Sequence, residues 1–435
     1  MSADSSTEWW RPPQAARPVG REARGEGRYD LSFWALVAFT TILLLAPQER
    51  FPFLAPLRIA LLSVAVALVA CGYRRLSRRL PLLEFSPDVI LLFAIAFWAL
   101  LTLPFSVWPG GSMGVLTDAF LKAVICFLLL SHAVMNLRQL RGMCWCLVLC
   151  TVPLGLTTLG NYLSGTTLGS GAARVAGYSS GLTENPNDMA LMLNLILPLS
   201  IALMLGAKSG PRKLVLGGIA GLIVIAVIVT FSRAGFLTLL FIGACYAWLL
   251  RNRPQRILIP VVLVMGLFAL PLVPDSYYER IGTILNVEED QTNSAQTRLS
   301  DMKVAADMAL SKPLTGSGIG MSVLAMNDAR GATWTDVHNV YLQLAVDLGF
   351  PGLLLFLLFL FSCLRITGDI VGRPGLEPVS RDMVYLGEAL RVSLLAFAVS
   401  AMFYPVAYNF YFYFFAGLAV AAGRIARGEI REPAA

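Results

Sequence analysis

The segment PRKLVLGGIAGLIVIAVIVTFSRAGFLTLLFIGACYAWLLRNR, residues 211–253, decides the fold. Two apolar runs, near 212–230 and 234–250, are joined by a turn so short that Arg233 must lie at a membrane interface, while Arg212, Lys213, Arg251 and Arg253 bracket the pair on the other side. Each run is about the length a helix needs to cross a bilayer core. Lipid offers no water to backbone N–H and C=O groups, so runs of this kind are helices that satisfy their own hydrogen bonds.

The same pattern repeats along the chain. Of 435 residues, 57% are hydrophobic and 14% charged, and the mean hydropathy of +0.68 is that of a membrane protein. We read an all-α polytopic membrane protein of about 12 transmembrane helices. The spans lie near 31–46, 56–72, 87–104, 116–135, 143–163, 187–206, 212–230, 234–250, 256–273, 338–363, 388–405 and 407–424. The chain divides into a tail (1–30), nine spans (31–273), a loop (274–337), three spans (338–424) and a second tail (425–435).

Lys and Arg fix the orientation. One side of this map holds 24 of the 34, the other nine, five of them within the long loop, and Lys122 lies inside a span. Both termini are therefore expected in the cytoplasm and the loop outside. The first 30 residues, with five arginines and Trp9 and Trp10, are too long and polar for the n-region of a cleaved signal and read as a cytoplasmic tail. The seven cysteines sit in or beside apolar runs, which argues packing over disulfides or a thiolate metal site. Membrane lipid, not nucleic acid, is the expected surroundings.

A loop this long is functional or disordered, and this one carries a helical pattern. Asn293 and Gln296 can cap a helix through Leu310, with an apolar stripe of Leu299, Met302, Ala306, Ala309 and Leu310, before Pro313 stops it.

Polar residues that can carry chemistry are few. His132 lies beside the Leu137-Arg138-Gln139-Leu140-Arg141 turn and reads as solvated or interfacial; His338, in Trp334-Thr-Asp-Val-His338-Asn-Val-Tyr341, sits where the loop meets the next span and can act as a general base. Arg233 either snorkels to lipid headgroups or faces a site. Arg298 begins the loop helix, and Lys303 lies on another part of its surface, where solvation accounts for it. The glycines of Lys312-Pro-Leu-Thr-Gly316-Ser-Gly318-Ile-Gly320 permit turns that aim N–H groups at an anion. Asn185 and Asn187 open the sixth span, where capping explains them in isolation. Glu288-Glu289-Asp290 reads as a solvated run, Asp118 and Lys122 as a self-neutralising pair, and no set of residues has metal-ligand spacing.

Taken together, the Ser232-Arg233-Ala-Gly235 turn, the Arg298 helix, the Pro313-Leu-Thr-Gly-Ser-Gly318 segment and His338-Asn-Val-Tyr341…Asp347-Leu-Gly349-Phe-Pro-Gly352 resemble the O-antigen ligase and polymerase superfamily. The resemblance implies a GT-C-like bacterial inner-membrane glycosyltransferase with a periplasmic site and no cofactor or metal. Its donor is a glycan on undecaprenyl diphosphate; in the ligase branch the acceptor is a sugar hydroxyl of lipid A-core. The family's catalytic histidine matches His338 and its two functional arginines best match Arg233 and Arg298. The substrate-binding set on this reading is Arg233, Arg298, Lys303, Gly316, Gly318, Asn185, Asn187 and Asn339. An O-antigen polymerase and a protein O-oligosaccharyltransferase are the related alternatives. A 12-span transporter is the alternative from another class, disfavoured because the halves are dissimilar and the polar groups gather at one surface.

Overall fold

The computed structural model describes residues 29–166, 175, 177, 185–257, 294–331, 333–372 and 381–431. Secondary structure among them is helical: α1 Leu31–Leu45, α2 Ile59–Ser77, α3 Pro87–Leu101, α4 Pro109–Ala133, α5 Leu137–Leu163, α6 Pro186–Gly206, α7 Gly210–Val229 and α8 Arg233–Leu250. Then follow α9 Ser294–Ser311, α10 Ser322–Arg330, α11 Val340–Val371, α12 Arg381–Ser400 and α13 Phe410–Arg431. Eight helical stretches among the described residues are long and apolar enough to cross a membrane, and α1 and α3 are shorter apolar helices. The chain is a multi-pass membrane protein, helical among its described residues. The expected span 256–273 and the Glu288–Asp290 run fall almost wholly outside the described residues.

Helix α6 is apolar on every face and is buried between α5, α7, α8 and α12, as an all-round hydrophobic helix must be. Packing, not exclusion from water, holds helices together in lipid, so small residues and aromatic contacts matter most. A Cβ on Gly417 of α13 would stand 2.9 Å from the Phe127 carbonyl oxygen of α4, so only glycine allows the two helices to approach this closely. Around that contact Phe127 and Phe359 lie 5.4 Å apart, and Phe412 lies 5.2 Å from both Phe359 and Phe397.

One end of the bundle is tied by ion pairs. Arg74 meets Asp30 at 2.6 Å, Arg75 and Arg424 converge on Glu84 at 2.6 and 2.8 Å, Arg141 pairs with Asp382, and Arg253 grips Glu388. Burial alone would push the Glu84 carboxyl up, yet Arg75 and Arg424 hold it below the ordinary range. We call this the basic end.

Contacts at this end correct three readings. The connection expected between the spans ending at 363 and starting at 388 belongs largely to helices: α11 continues to Val371 and α12 starts at Arg381, where Arg141 neutralises Asp382. Likewise Asn136 caps Gln139 N–H at 2.9 Å, so the arginine-bearing turn after His132 is already the first turn of α5. His132 is buried, not solvated. Its Nε2 accepts the Glu84 N–H at 3.1 Å, which leaves Nδ1–H to donate to the Leu128 carbonyl at 2.9 Å.

Candidate active site

The opposite end of the bundle gathers the remaining polar residues. Arg233 is placed by a tight turn. Phe231 takes a left-handed φ of 56°, and the Ser232 hydroxyl caps α8 by accepting the Gly235 N–H at 3.2 Å. Gly235 lets α8 lie against α6, since a Cβ there would stand 2.6 Å from that of Ala190. The same Ser232 hydroxyl donates to Asn187 Oδ1 at 2.8 Å and lies 3.4 Å from the Tyr404 hydroxyl, which joins the starts of α6 and α8 to the turn between α12 and α13.

Arg298 arrives on α9, which packs against α10 and α11. The helix forms as expected but its inner face differs from the expected stripe. Asp301, Ala305 and Ala309 are buried, whereas Leu299 and Leu310 are 52% and 68% exposed. The reason is a polar clasp. Asp301 pairs with Arg330 of α10 and accepts from the Thr335 hydroxyl at 3.2 Å, while Arg330 also donates to the Thr335 carbonyl at 2.7 Å. An ion pair fixes the rotation of α9 that apolar periodicity alone mis-set, and half-buried Arg298 falls one turn before Asp301 on that inner side. Lys303 is exposed, about 140° around the helix from Arg298.

The clasp holds the strand that delivers His338. Asn339 caps α11 by accepting the Tyr341 and Leu342 N–H groups at 2.9 and 3.0 Å, and Val340 N–H donates to the Ala401 carbonyl at 2.7 Å. His338 Nδ1 donates to the Asp336 carbonyl at 2.9 Å, which makes Nε2 the basic nitrogen. Burial first, and the Arg298 charge second, lower the histidine below its ordinary 6.5, so the imidazole is neutral and ready to accept a proton at neutral pH. Arg298 also acts on Tyr404, and Tyr404 on Asp188 of α6, so the arginine, the histidine and the Ser232-Arg233 turn share one electrostatic neighbourhood.

The glycine segment turns its N–H groups inward, toward the protein's own Asp347. Asp347 is fully buried and takes the Gly320 N–H at 3.1 Å, the Ser322 N–H at 2.6 Å and the Tyr408 hydroxyl at 3.0 Å. Beside it α11 breaks at Gly349, whose φ is 68°. The carbonyls freed by that break are each met: Val346 by Ser317 N–H at 2.7 Å, Asp347 by Gly318 N–H at 2.8 Å and Leu348 by the Trp98 indole at 2.8 Å. Phe350 N–H donates to the Pro313 carbonyl at 2.8 Å. A Cβ on Gly316 would stand 2.5 Å from the Asp347 carbonyl oxygen, so these backbones touch directly. Gly316 and Gly318 therefore clamp the kink instead of facing a ligand. Gly316 N–H is itself bonded to the Lys312 carbonyl at 3.1 Å.

Asn339 and Asn185 spend their side-chain oxygens on caps, the latter on Asn187 N–H at 2.9 Å. Asn187 supports the Arg233 turn through Ser232. Asp301, Arg330, Thr335 and Tyr404 escaped the sequence reading, and Asp188 and Asp347 stood in its motifs without a role of their own. The spacing of Asp301 three residues after Arg298 was the available signal, but it carries no meaning until Arg330 is known to face it.

These features define a polytopic helical membrane protein with His338, Arg298 in its electrostatic reach, and the turn that carries Arg233 at the end opposite the ion pairs. Residues 218–357 match the family model described as O-antigen ligase, about a third of the chain and the part that carries Arg233, Arg298 and His338. The match supports the O-antigen ligase family, a glycosyltransferase-like group whose partners are lipid-linked glycans and lipid A-core. Comparison with curated proteins returns no match.

Proposed function

We propose that the protein is an O-antigen ligase that moves glycan from undecaprenyl diphosphate to a sugar hydroxyl of lipid A-core. The observation that carries this reading is His338, with Nδ1 committed to the Asp336 carbonyl and Arg298 in electrostatic reach, inside the stretch that matches the family.

In this reading the acceptor hydroxyl attacks the anomeric carbon and passes its proton to His338 Nε2 as the bond to the diphosphate breaks. Displacement from the opposite face inverts the anomeric centre. Negative charge grows on the departing undecaprenyl diphosphate, and guanidinium groups suit it: they stay charged and can offer paired N–H donors to phosphate oxygens. Arg233 and Arg298 take that role, and the step runs without a metal. Gly316 and Gly318 drop out of the substrate-binding set because their backbones are committed to the α11 kink and its flanking turn. The bundle is GT-C-like and lies in the bacterial inner membrane with both termini cytoplasmic. The separation of the ion-paired basic end from the histidine end supports that orientation.

The test is reconstitution of the purified chain in lipid with an undecaprenyl-diphosphate-linked oligosaccharide and lipid A-core. Ligation gives glycan on the core. Extension of the lipid-linked glycan without transfer to core would instead assign a polymerase.

A further inference from the structure

The clasp fixes which side of α9 faces the protein, and the opposite side has a pattern of its own. Asp301, Ala305 and Ala309 are buried on the side turned to α10 and α11. Counted around the helix from Leu299, Leu310 stands at about 20° and Lys303 at about 40°, with Asp307, Ser300 and Ser311 between about 80° and 120°. All of these are exposed. The outward arc therefore has two parts: an apolar line through Leu299 and Leu310, about three turns long, and a polar flank beyond it, with Lys303 on the boundary.

The apolar line leads into the lipid-facing surface of α11. Phe350, Leu354, Leu357, Leu358 and Phe361 recur at the spacing of one helical face, all are exposed, and they lie in a helix long and apolar enough to cross a membrane. Phe350 N–H donates to the Pro313 carbonyl at 2.8 Å, which brings Leu314, 67% exposed and just past the end of α9, to the top of that stripe.

We propose that α9 is an interfacial helix whose Leu299–Leu310 line dips into the phospholipid leaflet at the histidine end, continuing the lipid contact of α11. Standing upright on the bilayer, α9 would leave Leu299 or Leu310 in water. Laid along the surface, it covers both with acyl chains, keeps Asp307, Ser300 and Ser311 in water, and lets Lys303 snorkel to the lipid phosphates. Arg298, on the inward side of the same helix, is thereby held at headgroup depth. The docking does not depend on the glycosyl-transfer reading.

The experiment uses the full chain in nanodiscs of mixed zwitterionic and anionic phospholipid. The photoreactive residue p-benzoylphenylalanine is placed singly in place of Leu299, Leu310, Asp307 or Phe361, and each variant is first shown to match the parent in thermal unfolding. These side chains are exposed, so the added ring displaces no core contact. After irradiation, intact mass reads phospholipid adducts and peptide mapping reads crosslinks within the chain. Phe361, 65% exposed on the α11 stripe, gives the yield of a lipid-facing position. Adduct yields at Leu299 and Leu310 are expected to match that at Phe361 within about twofold and to exceed that at Asp307 about tenfold or more. Crosslinks from Leu299 and Leu310 to other segments of the chain, in place of lipid, overturn the proposal, because protein then covers the line. Adducts at Leu310 but not at Leu299 also overturn it, since the helix then stands upright. Equal adduct yields at Asp307 and Leu299 overturn it as well, because lipid then meets the helix without regard to its apolar line.

Discussion

The Ser322 N–H donates at 2.6 Å to the fully buried side chain of Asp347, and this contact ties the first residue of α10 to α11, the helix that follows His338. Gly320 and Tyr408 donate to the same carboxylate. Replacing Asp347 by Ala leaves three donors facing a void, which costs about 3 kcal/mol. Thermal unfolding in detergent should show the loss as a lower midpoint. An unchanged midpoint would mean that the clamp is not what holds the kink.

The pH dependence of transfer follows from His338. Burial and the Arg298 cation both disfavour its imidazolium, so the neutral base persists below its ordinary 6.5 and activity falls only as pH drops through that lowered value. Arg298→Gln removes the second cause, the imidazolium becomes easier to form, and the acid limb of kcat/KM moves to higher pH. A limb that stays in place, measured over the same pH range, would separate the two residues.

At Arg233 the geometry of the head group should matter as well as its charge. Arg233→Lys keeps a cation but loses the paired donors, and Arg233→Ala loses both. A donor KM raised about tenfold in the first and about a hundredfold in the second is expected. Equal effects of the two replacements on donor KM would argue against a diphosphate at this position.

Transfer should also survive chelation. If guanidinium groups carry the leaving-group charge, excess EDTA leaves the rate of the reconstituted protein unchanged. A rate that falls with EDTA and returns with added divalent cation would transfer that role to a metal.

Sequence alone went far where the physics is local. Lipid-crossing runs are legible because a bilayer imposes length and apolarity, and the Asn185 cap is legible because a cap needs only a few neighbouring residues. It failed where a distant partner decides. Asp382 fell in an expected connection until Arg141 met it, and the face of α9 was misjudged until Arg330 closed on Asp301. The glycines at 316–320 were read as able to aim N–H groups at an anion, and the Gly320 N–H instead meets a side chain 27 residues further on. His338 stood out because the loop reaches the membrane at that residue. Its neutral state and tautomer depend on Arg298 and the Asp336 carbonyl, which only the fold brings to it.

The most direct test is single-turnover transfer by purified His338→Ala, reconstituted in lipid with the lipid-linked donor and lipid A-core and compared with the parent chain at equal folded concentration. The scaffold does not depend on the imidazole, whose one side-chain hydrogen bond is to a neighbouring carbonyl, so the variant should insert, unfold at the parent's temperature and bind donor normally. Its transfer rate should fall by about a thousandfold, the scale of a lost general base. A folded His338→Ala protein that ligates glycan at the parent rate would contradict the account.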